Sequence, residues 1–90
     1  MPIPTRDLVG SQVKAVIGST CGDPVAAQNE SSNLELDLGM SAPVKTAMAV
    51  PYSKISQGYD NGIPVTPTDA GKCTTVGDAI DLVYKRAQGK

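Results

Sequence analysis

The sequence has no histidine, phenylalanine or tryptophan, and only three tyrosines among 90 residues. Without histidine, the chain cannot form a Ser-His or Cys-His catalytic pair or a His-ligated zinc site. Carboxylates are not clustered either, so general acid–base groups are few and we expect no enzymatic activity. The eight basic residues are scattered at a net charge of −1, and stacking aromatics are scarce, which argues against nucleic-acid binding.

Long apolar runs are also missing, since none approaches the roughly 20 residues of a membrane span. The N-terminal sequence, residues 1–7, lacks the charged region and apolar core of a signal peptide. We therefore expect a cytoplasmic monomer without a membrane partner. Cys21 and Cys73 lie far apart in sequence, and we expect two reduced, buried, small side chains. A disulfide would need an oxidising compartment.

Apolar residues recur at helical spacing in three segments of what we expect to be one domain over residues 1–90. The predicted helices cover residues 5–18, 43–56 and 75–88, with Gly18 as the stop of the first. Thr75 and Asp78 have the spacing of a capping box. A further single turn is predicted near residues 67–71. Because such helices can bury their apolar faces only against one another, the fold class is all-α, a small bundle of three to four helices.

Two segments fit this pattern less well. Leu34, Leu36 and Leu38 alternate with acidic residues, which taken alone is typical of a short strand, but no second segment alternates to pair with it. Pro51 lies inside the second predicted helix, where it would cost about 3 kcal/mol. We therefore predict a kink or break near Val50, followed by a mobile loop at Gln57–Asn61.

Two stretches of the chain resemble the acyl carrier proteins. The sequence Gly62-Ile63-Pro64-Val65 followed by Lys72-Cys73-Thr74-Thr75-Val76 is similar to the C-terminal third of that family, and Val13–Gly18 is similar to its first helix. The resemblance covers about residues 13–83 except for the middle. It implies a four-helix, acyl-carrier-protein-like fold in which the loop residue Leu34 inserts into the core.

The resemblance also implies an attachment site. The family follows Leu-Gly with x-Asp-Ser-Leu and esterifies that serine with 4′-phosphopantetheine; here Leu38-Gly39 is followed by Met40-Ser41-Ala42-Pro43. Ungapped alignment places Ala42 at the serine position, whereas a one-residue deletion makes Ser41 the attachment residue. Asp37 would then assist as an acid near the phosphate or a bridging metal. The alternatives are an ordinary helix-capping serine and a solvated loop carboxylate.

A carrier of this family would be loaded by a phosphopantetheinyl transferase and would serve acyl-transferring or synthase enzymes of fatty-acid or polyketide-type biosynthesis. The family's second helix is acidic, but here no acidic residue occurs between Asp37 and Asp60. Lys45 and Lys54 in this region either form a docking face for an acidic partner or are merely solvated. Three apolar residues either line an acyl pocket or simply pack, in the core or at the surface: Met40, Val44 and Met48. The alternative function is a cofactor-free, carrier-like protein-interaction module.

Overall fold

The computed structural model describes residues 3–90, and these residues form six helices with no strand. The only β-type pairing among them is an isolated bridge between Asn33 and Thr75. The all-α prediction is therefore confirmed. The helices are α1 (Arg6–Cys21), α2 (Pro24–Ala27), α3 (Ala42–Ala47), α4 (Ala49–Ser56), α5 (Pro67–Gly71) and α6 (Val76–Ala87).

Helix α1 is longer than predicted, because Gly18 does not end it. A Cβ at Gly18 would lie 2.9 Å from the Cα of Pro24, so the glycine lets α2 pack closely on α1. The helix ends instead at Gly22, which has a left-handed backbone with φ of 69° and donates its N–H to the Gly18 carbonyl.

Helix α6 follows the sequence prediction closely. The Thr75 hydroxyl accepts the N–H of Asp78, and the Asp78 carboxylate accepts the N–H of Thr75, so the predicted capping box is confirmed. One face of α6 is buried, chiefly against α1 and α4. The residues of that face are Val76, Ala79, Ile80, Val83 and Ala87.

The predicted second helix is two helices, α3 and α4, joined at Met48. Pro51 is the third residue of α4 and lies in its first turn, where a backbone N–H has no partner within the helix. The predicted break is therefore confirmed, but it falls two residues before Val50.

The loop after α4 is anchored to α1. Tyr59 is buried, and its hydroxyl donates to Oε1 of Gln12 at 2.9 Å. This contact between residues 47 positions apart could not be read from the local sequence. The expectation of a mobile Gln57–Asn61 segment is therefore wrong at its centre, where a buried tyrosine holds the loop.

Residues 33–39 form a turn-rich loop instead of a strand. Leu34 is 1% exposed and enters the core, as the resemblance implied, and Leu38 is also buried. Leu36 is 85% exposed, so the alternation of leucines does not mark one buried face. Asn33 accounts for the turn, because its side-chain oxygen accepts the N–H groups of Glu35 and Leu36.

The two cysteines are free thiols. Cys73 is buried as predicted, and burial raises the pKa of its thiol to about 11. Cys21 is only half-buried, at the C-terminal end of α1. Among the described residues, no helix combines the length and the apolar character needed to cross a membrane.

Candidate functional site

Ser41 lies at the junction between the 33–40 loop and α3, where it is the N-cap residue. Its backbone is extended, with φ of −75° and ψ of 165°, and its Oγ accepts the N–H of Val44 at 3.4 Å. The residue is exposed. Ala42, the other candidate position, is the first residue of α3 and offers no hydroxyl. Ser41 therefore caps α3, as the second interpretation expected, and it does so as an exposed residue.

Asp37 is exposed and closes the turn that precedes Ser41. Its Oδ2 accepts the N–H of Asn33 at 2.7 Å, and its own N–H donates to the carbonyl of Asn33. Within the described chain, no hydrogen bond joins Asp37 to Ser41. Its Oδ1 accepts no hydrogen bond there either. In the structure Asp37 therefore stabilises the turn of the 33–39 loop.

Lys45 does not lie on an open face, contrary to both interpretations offered for it. The residue is 7% exposed, and its Nζ lies 2.8 Å from Oε1 of the half-exposed Glu35. A buried ammonium requires such a partner, since an unpaired charge would be strongly destabilising. The Lys45–Glu35 pair ties the 33–39 loop to α3 on either side of Ser41.

Of the three residues considered for an acyl pocket, Met40 and Met48 are each 3% exposed and belong to the main core. Val44 is 37% exposed and lies at the surface of α3. The core interpretation therefore holds for the two methionines. Their flexible thioether side chains fill space beside the bundle's aliphatic residues.

An open groove runs along α4, which sequence reasoning missed. It has a volume of about 380 Å³ and lies between α4 and the chain leading into α5. We call it the α4 groove; its lining residues are Ala49, Val50, Ser53, Lys54, Gln57, Val65 and Pro67. No local sequence signal marks the groove, because only the structure shows that the apolar Val50 is exposed.

A second, polar cavity of about 220 Å³ lies beside the start of α1, where Arg6, Lys14 and Glu30 contribute to its lining. The guanidinium of Arg6 is already engaged, because it donates to the carboxylates of Glu30 and Asp81. The hydrogen bond from Arg6 holds the pKa of the Glu30 carboxyl below its usual value. This network joins α1 to the loop after α2 and to α6, which is a structural task.

Among the described residues, no group of three or more cysteine, aspartate or glutamate side chains is placed to hold a metal ion. No family model, curated protein or solved structure matches the chain. The candidate site is therefore defined by its own geometry. It is an exposed serine at the N-cap of α3, in the stretch of chain that the Lys45–Glu35 ion pair closes.

Proposed function

We propose that the chain is an acyl-carrier-protein-like domain that holds an acyl or aminoacyl group as a thioester on 4′-phosphopantetheine attached to Ser41. The observation that carries the proposal is the position of Ser41: an exposed residue with a hydroxyl at the start of α3, two residues after Gly39 of the Leu38-Gly39 pair. Carrier function needs little more from the protein, because the thioester chemistry belongs to the cofactor.

The geometry favours Ser41 over Ala42 as the attachment position. Ser41 is the N-cap of α3, where the N–H of Ala42 has no hydrogen-bond partner in the described chain and is free to face the negative charge of a phosphodiester. Asp37 remains in the proposal through Oδ1, the carboxylate oxygen that has no hydrogen-bond partner in the described chain and could approach a metal bridging the phosphate. The partners would be a phosphopantetheinyl transferase and acyl-transferring or synthase enzymes.

The test is intact-mass measurement after incubation with coenzyme A and a broad-specificity phosphopantetheinyl transferase. Ser41→Asn is the decisive variant, because asparagine keeps a good N-cap while it removes the hydroxyl. Ser31→Ala is the matched control, since Ser31 is another exposed loop serine. We expect the cofactor mass on the wild type and on Ser31→Ala, and none on Ser41→Asn. An unmodified wild type, or addition that survives in Ser41→Asn, contradicts the proposal.

A cofactor-free interaction module is the second candidate, and the shape of the α3–α4 region favours it. Helix α3 has only six residues before the break at Met48, and the α3–α4 segment carries no acidic residue. Affinity capture with wild type and Ser41→Asn distinguishes the two functions. A module of this kind captures the same partner with both proteins, whereas loss of the partner in Ser41→Asn rules it out.

A further inference from the structure

The surface of α3 and α4 differs in charge from the rest of the chain. Between residues 38 and 59 there is no carboxylate, although the chain has nine acidic residues. Of the two lysines in this stretch, Lys45 is buried against Glu35, whereas Lys54 is exposed and forms no ion pair within the described residues. Lys54 therefore carries the one exposed, unbalanced charge of α3 and α4 in the described structure, on a chain whose net charge is −1.

Lys54 borders the apolar part of the α4 groove. Val50 precedes it by four residues, so the two side chains are neighbours on the helix surface, and Val50 is 63% exposed. Pro67 continues the apolar lining at the start of α5, while Ala49 of α4 and Val65 also line the groove but are themselves almost fully buried. The groove thus presents an apolar strip with a single cation on its rim.

The opposite wall of the groove is fixed in place. The Ser53 hydroxyl donates to the carbonyl of Val65 and accepts its N–H, which holds residues 63–67 beside α4. Ser56 adds a second tie through the carbonyl of Ile63. A groove whose walls are already ordered loses little conformational entropy when it is filled.

We propose that the α4 groove docks the apolar face of an acidic amphipathic helix from a partner protein, with a carboxylate of that helix placed on Lys54. A helix binds such a groove through apolar side chains at helical spacing, and charge complementarity fixes its orientation. Here the complement is negative. The inference does not depend on a group attached to Ser41, so its test uses the unloaded protein.

Two other occupants fit less well. In a symmetric dimer through this face, Lys54 of each copy would face a surface that supplies no carboxylate from α3 or α4. An anionic membrane is recognised by a cluster of several lysines or arginines, whereas this face exposes a single lysine among the described residues. Neither a symmetric dimer nor a membrane therefore accounts for Lys54. An acidic helix would pair a carboxylate with Lys54 while the apolar side chains of that helix cover Val50.

The test is an NMR titration of the full ¹⁵N-labelled chain with two amidated, helix-forming peptides. Both carry a leucine stripe; one has glutamates beside the stripe and its twin has lysines at the same positions. We expect the glutamate peptide to shift the amide signals of Val50, Lys54 and Val65. It should bind about two- to fivefold more tightly than its twin, as an exposed ion pair allows.

Three variants sharpen the result. Lys54→Glu should reverse the preference between the peptides, and Val50→Ser should weaken binding of both. Lys85→Glu makes the same charge change at an exposed position of α6 that does not line the groove, and it should leave the preference unchanged. The proposal is overturned by equal binding of the two peptides, by a preference that persists in Lys54→Glu, or by shifts outside the groove. It is also overturned by dimerisation, or by binding to phosphatidylglycerol vesicles, that Val50→Ser abolishes.

Discussion

The hydroxyl of Ser53 satisfies both backbone groups of Val65: it donates to the carbonyl at 3.1 Å and accepts the N–H at 2.9 Å. In a sheet, a neighbouring strand would supply these two bonds. Here a helix side chain replaces the strand, so an extended segment lies against α4 without any sheet. The same contact holds one wall of the α4 groove in place, and the chain of that wall continues into α5.

Replacement of Ser53 by alanine should destabilise the protein by about 1–2 kcal/mol, because both backbone groups of Val65 lose their partner in a buried setting. Urea unfolding measures this loss, and hydrogen exchange at the Val65 amide should become faster. Ser19→Ala is the control: it is also a helical serine, but exposed, and its hydroxyl has no hydrogen-bond partner in the described chain. If the two variants are equally stable, the Ser53 bonds contribute nothing to stability.

Replacement of Tyr52 by phenylalanine should increase the stability of the protein. Its side chain is 1% exposed, and its hydroxyl has no hydrogen-bond partner among the described residues, a state that costs free energy. Burial also raises the pKa of this phenol. Tyr52→Phe removes the unsatisfied group without changing the ring, so we expect a gain of about 1 kcal/mol.

The matched variant is Tyr59→Phe, because the Tyr59 hydroxyl does have a partner in Gln12. Thermal unfolding should show a higher midpoint temperature for Tyr52→Phe and a lower one for Tyr59→Phe. Each shift should correspond to about 1 kcal/mol in the free energy of unfolding. Destabilisation by both substitutions would mean that the Tyr52 hydroxyl makes a favourable interaction in solution.

Pro51→Ala should change stability by less than about 1 kcal/mol, since Pro51 already lies in the first turn of α4, where N–H groups have no helical partner. Circular dichroism and urea unfolding together check this expectation. A rise in helicity with a gain near the roughly 3 kcal/mol of an interior proline would show that Pro51 strains a continuous helix.

Acidification should weaken the fold through two carboxylates that arginines hold. Hydrogen bonds from Arg6 and Arg86 lower the pKa values of Glu30 and Asp69, whose ordinary values are 4.5 and 3.8. A group with a lowered folded pKa stabilises the protein fully above its unfolded pKa, and this stability is lost as the pH falls through the folded value. The urea midpoint of the wild type should therefore decline below about pH 4.5.

Arg6→Gln removes the cation that lowers the Glu30 pKa, so its urea midpoint should fall less steeply on acidification than that of the wild type. Lys54→Gln is the control, since it removes one exposed positive charge that has no ion-pair partner in the described chain. A decline in Arg6→Gln as steep as in Lys54→Gln would show that the Arg6 network does not contribute to the acid sensitivity.

The prediction of α6 succeeded because its signals are local. Thr75 and Asp78 bond backbone groups within four residues of themselves, and the apolar face repeats at the helical period. The break before α4 was predictable for the same reason, since a proline acts on the carbonyl four residues before it. The cap at Ser41 is equally local, whereas its choice as an attachment residue came from the resemblance of residues 38–43 to a family motif.

The rest depended on partners distant in the chain. From the sequence, Gly18 resembles a helix stop, but in the structure it allows α2 to pack against α1. Lys45 likewise resembles a surface lysine, but in the structure it is buried and paired with Glu35. The α4 groove also depends on a distant contact, because Ser53 of α4 holds Val65 across a loop and both residues line it. The sequence by itself determined where α6 begins and that the second predicted helix breaks, because capping and proline effects act within one turn. Tertiary structure alone decided which face each helix buries and which charge remains exposed, because burial depends on the packing of segments that the chain order does not bring together.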